Sequence, residues 1–297
     1  MKKIEGWVTA PQGFLAAGVK AGIKASGNHD VAVIFSTVPA SCGAVFTQNK
    51  MCAAPVLVSR EVNKHGYAQA IAVNSGCANA CTGEQGLADA KKMQAHTAEL
   101  LGIAPEAVFV CSTGVIGQFL PMDNLLTGIA DAVDSLDECE GESCAMAIQT
   151  TDTFIKHAAY ETEIGGKKVT FAGIAKGAGM IHPNMCTMLA FITTDAVITK
   201  DALQKAFGFD NSALSSGFSG DLLSADSLNL ENAFQMGGDS LDLSGMINLD
   251  QISLDVSGMP QMNLGDMIES LDLTVKPGGM QKMSESIMEG YQEYVKS

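Results

Sequence analysis

The stretch "GAGMIHPNMCTMLAF", residues 177–191, sets a Cys186–Thr187 pair between a turn-like His182-Pro183-Asn184 and an apolar, strand-like run. A small polar residue at a strand start is the structural reading of this pair. The chemical reading makes Thr187 a nucleophile. A Thr hydroxyl is weak at neutral pH and needs a base. No His is obviously paired with it, since His182 lies five residues upstream, beyond the turn. A break in the backbone before Thr187 would supply the base. The freed α-amine, with a pKa of ~7.7–8.0, can take the proton of its own hydroxyl. The hydroxyl can also make the break, by attacking the Cys186 carbonyl to form an ester that water then opens. A constrained turn upstream would help hold that carbonyl. Cys186 as a catalytic thiol is the rival to Thr187.

Such a site needs a framework. The first two hundred residues alternate strand-like and helix-like segments. "VAVIFS" (31–36), "GAVFT" (43–47), "APVLVS" (54–59), "AIAVNS" (70–75) and "AVFVC" (107–111) read as short strands bounded by turn residues. Residues 83–101 read as a helix, with Thr82 and Gln85 as a capping box and Gly102 as its stop. A second helix is expected over 121–136, with Pro121 near its first turn. "AYETEIGGKKVTF" (159–171) reads as a hairpin turned by Gly165-Gly166. The mixture predicts an α/β fold in mixed α+β layers. By residue type alone, Lys176 is a solvated surface charge, Thr113-Gly114 a turn after a strand, and Thr150-Thr151-Asp152 a helix terminus.

The chain has 297 residues, 46% of them hydrophobic, which suits one large domain or two ordinary ones. Its formal net charge is −15, which argues against nucleic acid and against anionic membrane surfaces as partners. The charge is uneven. Residues 1–200 hold 14 basic and 18 acidic side chains, and residues 201–297 hold 4 Lys and 15 acidic ones. All eight Cys lie at or before 186, without a C-x-x-C pair or a zinc pattern, and read as buried, reduced thiols. The start lacks the apolar stretch of a secretory signal, and no apolar run nears the ~20 residues of a membrane span. A cytoplasmic protein is the expectation. Past residue 207 the signals fade into an acidic, aromatic-poor tail. It carries irregular repeats, "SLDLSGM" (240–246) and "SLDVSGM" (253–259), and a candidate closing helix over 283–295.

"KGAGMIHPNMCTMLAF" resembles the self-cleavage segment of the ornithine acetyltransferase family, the bifunctional glutamate N-acetyltransferases of arginine biosynthesis. "GWVTAPQGFLAAGVKAGIK" (6–24), "AAPVLVSREV" (53–62), "VNSGCANACTGEQGLADA" (73–90), "STGVIGQFLPMD" (112–123) and "TTDTFIKHA" (150–158) resemble the family's blocks, in the family's order. The resemblance spans about residues 6–205. It implies that Thr187 is the nucleophile and that the Cys186–Thr187 bond is the cleavage site, giving an α-like portion 1–186 and a β-like portion 187–297. Most members have Ala at the Cys186 position. Thr113 and Gly114 match the oxyanion-hole pair, and Thr150 and Lys176, with Thr187, match substrate-binding positions. Cys77 stands where the family usually has Asn.

The implied reaction is ping-pong acetyl transfer from N-acetylornithine to glutamate through an acetyl-Thr187 ester. Some members also take acetyl-CoA. No metal or prosthetic group is implied, and the cleaved chains would assemble, as a heterotetramer by resemblance. After about 205 the family's Asn-rich block with its Asp-Gly pair is missing. Two further readings therefore stay open: an inactive relic or binding protein of this family, and a related self-processing amidohydrolase or aminopeptidase. A frameshift past codon 205 would account for the lost block.

Overall fold

The computed structural model describes residues 1–47, 49–178 and 188–206, together with a two-residue antiparallel pair, Ser253–Leu254 and Met262–Asn263. The strands of the main body are β1 (Lys2–Ile4), β2 (Phe14–Val19), β3 (Val31–Ser41), β4 (Tyr67–Cys77), β5 (Val108–Val115), β6 (Lys156–Ile164), β7 (Lys167–Lys176) and β8 (Leu189–Thr194). The helices are α1 (Ala54–His65), α2 (Gly83–Leu101), α3 (Met122–Asp134), α4 (Gly141–Ile148) and α5 (Lys200–Ala206). They build two four-stranded sheets, ordered β2-β3-β4-β5 and β1-β6-β7-β8. All pairings within them are antiparallel except β4 with β5, which α2 joins as a crossover. The mixed α/β expectation describes this body.

The first sheet is buried on both faces, which is why β3 opens as the continuous apolar run "VAVI". Val31 and Val33 point with Ala17, Ala72 and Val110 to one face, against Met93 of α2 and Leu125 and Ile129 of α3. Ala32 and Ile34 point with Ala16 and Val73 to the other, against α4 and, from the second sheet, Ile174 and Phe191. α4 thus lies between the sheets, and Ile174 and Phe191 put β7 and β8 on the same core as β4. The fit is close: a Cβ on Gly18 of β2 would sit only 2.0 Å from the Ser143 carbonyl oxygen of α4. Ile129 is fully buried at the centre of the first core. Ile129→Ala is expected to cost about 2–5 kcal/mol in urea unfolding, since the surrounding backbone is tied into sheet and helix and can collapse only partly.

Residues 54–59 are the first turns of α1 and not a strand. A short apolar run fits either period. Pro55 at the helix start and the 54/58/62 spacing of buried Ala, Val and Val decide for helix, and Gly66 ends it in the left-handed conformation. The helix has a second task. β5 is the outer strand of its sheet, so Val110 has no strand partner on one side. The Ser59 hydroxyl donates to the Val110 carbonyl at 2.7 Å and accepts from the Val110 amide at 3.0 Å. An edge that could pair with another chain is thereby covered.

Residues 43–47 are irregular, with Ala44 and Phe46 packed against Val62 and Phe109. The expected helices over 83–101 and 121–136 are α2 and α3, and Gly102 is the left-handed stop of α2. The capping box is absent. The Thr82 hydroxyl donates to Asn79 Oδ1 at 2.7 Å, and Gln85 reaches Asp89 at 2.8 Å. The hairpin is β6–β7, with Gly165 and Gly166 both at positive φ (58° and 74°), as a primed turn requires. Not all thiols are buried. Cys81 and Cys139 are exposed, while burial pushes the Cys111 and Cys144 thiols up to about 12. Among the described residues no helix is long and apolar enough to cross a membrane. The turn at 182–184, Cys186, Thr187, the repeats at 240–246 and 253–259 (save Ser253–Leu254) and the helix expected over 283–295 lie outside the described residues.

Candidate active site

Lys176 ends β7 buried, at 3% exposure, rather than on the surface as its residue type suggests. Its Nζ donates to Thr113 Oγ1 at 3.1 Å, which joins the end of one sheet to the end of the other. Thr113 and Gly114 belong to β5 itself and not to a turn after it. Gly114 pairs with Gly76 of β4 across the parallel ladder. It stands at φ +135°, and a Cβ there would meet backbone: Gly76 C at 2.4 Å and Cys77 N at 2.7 Å. Both the dihedral and the approach demand glycine.

The block around 73–90 holds this strand end in place. Asn74 accepts from the Ser112 hydroxyl at 2.6 Å and donates to the Cys77 carbonyl at 2.9 Å. The Ala78 amide donates to Val115, and the Gly117 amide to Ala80, both at 2.9 Å. Cys77 Sγ lies 3.3 Å from the Gln118 carbonyl oxygen and so still serves a hydrogen bond in this clasp. Beyond it Val115, Ile116 and Phe119 are exposed, an apolar rim beside the Thr113–Gly114 end of β5.

Thr150 lies two residues past the end of α4 and is half-buried. Asp152 ties it to the rest. The Asp152 side chain is fully buried, with Oδ1 accepting from Lys156 Nζ at 2.5 Å and from the Gly177 amide at 2.8 Å. Its Oδ2 accepts from the Thr150 amide at 3.3 Å. Thr113, Gly114, Thr150 and Lys176 are therefore brought into one neighbourhood, while Cys186 and Thr187 lie outside the described residues. The segment carrying those two joins β7 to β8, and its ends stand together, since Lys176 pairs with Leu189.

The charges here have identifiable effects. Burial is the largest influence on Asp152 and would raise its pKa. The Lys156 hydrogen bond, the Gly177 amide, the Lys156 charge and the Thr150 amide more than reverse it, so the carboxyl ionises below its ordinary 3.8. Burial lowers Lys176, with Asp152 opposing and Lys156 adding to the effect. Lys24 is lowered chiefly by burial, opposed by Asp30, and feels Lys176 and Asp152 as well. The loop carrying it is pinned by the buried Asp30 carboxylate, which accepts from the amides of Ala21, Ile23 and Lys24 at 2.6, 2.6 and 2.9 Å.

A depressed carboxyl pKa stabilises the fold above the unfolded value, and that stability is lost as pH falls through the folded one. Asp152 should thus contribute an acid limb below about pH 3.8 to unfolding free energy. Urea titrations across pH 2–5 should show that limb in the wild type and a flatter one in Asp152→Asn. Equal slopes would contradict the assignment.

Sequence reasoning missed Lys24, Asp152 and Lys156 as members of the site. All three lie in blocks already singled out by resemblance. Their signal is a charged residue type in a segment that must be buried, and burial is not visible until both sheets are placed.

Comparison with known proteins fits this geometry. The ArgJ family model matches residues 15–216. The arginine biosynthesis bifunctional protein ArgJ of Caldanaerobacter subterraneus is 52% identical over 207 residues, 70% of this chain and 51% of that protein. The one from Lactococcus lactis is 53% identical over 207 residues, 69% and 51% of the two chains. The chain spans about half the length of these curated relatives. Among solved structures, ArgJ from Bacillus halodurans is 47% identical with a TM-score of 0.58, covering 62% of this chain and 97% of that one. Ornithine acetyltransferase from Mycobacterium tuberculosis, solved with ornithine, is 39% identical with a TM-score of 0.55, covering 62% and 99%. With the family model matching well over half of the chain, and the fold shared with solved members, this protein belongs to the ArgJ family of arginine biosynthesis proteins.

Proposed function

We propose that the chain is a self-processing ornithine acetyltransferase of arginine biosynthesis, with Thr187 as nucleophile. Thr187 Oγ attacks the Cys186 carbonyl and the peptide shifts to an ester. Water then releases 1–186 from 187–297. The new α-amine takes the Thr187 hydroxyl proton as the hydroxyl attacks the acetyl carbonyl of N-acetylornithine. Collapse returns that proton to the departing amine and leaves an acetyl ester on Thr187. The amine of glutamate attacks the ester, N-acetylglutamate leaves, and Thr187 Oγ regains its proton. Acetyl-CoA is an alternative donor. No metal or prosthetic group enters these steps. The two cleaved portions stay assembled, as a heterotetramer, and work in the cytoplasm.

The observation that carries the reading is the Lys176–Thr113 hydrogen bond beside Gly114. A hydroxyl has one proton and two lone pairs. Because Thr113 Oγ1 accepts from an ammonium, its own proton is left to donate, polarised, toward an oxyanion. One such preorganised donor is typically worth ~3–4 kcal/mol in the transition state. In this reading Lys176 and Thr150 bind the amino-acid substrate. Leu189 pairs with Lys176, so the described chain resumes beside the Lys176 end of β7. Further support comes from the solved relatives. They are almost wholly covered by 62% of this chain, whereas full-length relatives are half covered. Those solved chains are therefore much shorter than the full proteins, as separated α-like portions would be.

A second reading, an inactive relic or binding protein of the family, is favoured by one fact: the family match stops at residue 216 and the full relatives are twice as long as the matched part. The two readings are separated by trapping. Protein incubated with N-acetylornithine alone and quenched in acid should carry one acetyl group on the peptide beginning at Thr187, discharged by added glutamate. A cleaved chain that never acquires the acetyl group would overturn the transferase and leave the relic.

A further inference from the structure

We propose that Asp152 is the positioning residue of this site: its single carboxylate, through the amides of Thr150 and Gly177 and the ammonium of Lys156, fixes where Thr150 and Lys176 stand relative to Thr113. The three donors come from separate places. Thr150 follows α4, Lys156 opens β6, and Gly177 follows the last residue of β7. No other described side chain links all three. Asp152 Oδ1 alone binds Lys156 at 2.5 Å and Gly177 at 2.8 Å, while Oδ2 takes the Thr150 amide at 3.3 Å. Gly177 is also the first residue after β7, so the same carboxylate anchors the start of the segment that holds Cys186 and Thr187. Met188, at the segment's other end, lies close enough that a Cβ on Gly177 would touch its Cγ at 3.5 Å.

A fully buried carboxylate is retained at a desolvation cost and is not needed to close a hydrophobic core. Its value lies in the charges it faces. Around Lys176 stand Lys24 from the loop after β2, Lys156 from β6, Asp152 from the α4–β6 connection and the Thr113 hydroxyl of β5. Asp152 is the anion that favours the charged form of Lys176, and Lys156 is a cation that disfavours it. The consequence for cleavage and transfer rests on the proposed acyl-transfer reading, whereas the effect on Lys176 does not.

The test uses the full chain and acetic anhydride in trace amounts, with the extent of Lys176 labelling followed against pH by peptide mass spectrometry. Exposed Lys92 is the internal reference. Asp152→Asn should move the Lys176 midpoint to lower pH. Lys156→Met should move it to higher pH, because a neighbouring cation is removed. General loosening of the site would shift both variants the same way, toward an exposed lysine, so opposite shifts carry the proposal. Shifts of the same sign, or none, overturn it. Should Asp152→Asn fail to fold, Lys156→Met is read against Lys156→Arg, which keeps the cation: an upward shift confined to Lys156→Met supports the proposal, and equal shifts in the two, or none, overturn it. In a wild type that cleaves itself, Asp152→Asn should slow cleavage at least tenfold, with Asp152→Glu recovering part of the rate. Unchanged cleavage in Asp152→Asn also overturns the proposal. A wild type that is never cut leaves the Lys176 readout intact and counts against the proposed function only.

Discussion

Gly114→Ala should both destabilise the fold and slow the proposed chemistry. At φ +135° an L side chain is strained, by about 1–3 kcal/mol for such conformations. The new Cβ would also stand 2.4 Å from the Gly76 carbonyl carbon and 2.7 Å from Cys77 N. These are backbone atoms in a paired strand, so no side chain can swing away. β4 and β5 must separate, at a further cost of about 1–3 kcal/mol typical of overpacking. That separation falls where Thr113 meets Lys176 and where Asn74 spans Ser112 and Cys77. Loss of an aligned oxyanion donor typically removes about 10²–10³ in rate. Thermal unfolding and the half-time of processing would measure the two effects. A Gly114→Ala protein with wild-type melting and processing would contradict the place given to this strand end.

Thr187→Ala has the larger chemical effect. Removing the hydroxyl deletes the group proposed to cut the chain and to carry the acetyl ester, so cleavage and transfer should both be lost and not merely slowed. Thr187→Ser keeps the hydroxyl and should still process, more slowly, because Ser lacks the methyl group that restricts χ1 in Thr. Cys186→Ala should process normally, since in the proposed reaction the carbonyl and not the thiol of residue 186 takes part. Cleavage lost in Cys186→Ala but kept in Thr187→Ala would transfer the role to the thiol.

Much of the frame was legible in the sequence. Short apolar runs bounded by turn residues located β3, β4 and β5, and Gly165-Gly166 marked the β6–β7 turn through the positive φ that both adopt. The failures have physical causes. "APVLVS" has an apolar pattern short enough to suit a strand or a helix, and only its continuation to Val62 and Gly66 resolves it. The Thr82–Gln85 spacing matches a capping box, yet nearby Asn79 and Asp89 offer the side chains better partners. Lys176 reads as a surface charge because nothing local shows that β7 ends against β5. Resemblance singled out Thr113, Gly114, Thr150 and Lys176, and the structure places all four in one neighbourhood. Asp152 and Lys156 went unnoticed because their significance is a tertiary fact: a carboxylate that joins three separate segments has no signature in any one of them.

The most direct test of the central claim is the intact mass of the purified 297-residue chain beside that of Thr187→Ala. Two polypeptides from the wild type, divided between Cys186 and Thr187 and together heavier than the uncut chain by one water, with a single uncut Thr187→Ala chain, is the predicted result. A wild-type chain that stays whole under conditions where it is folded, or one cut equally well without the Thr187 hydroxyl, would contradict it.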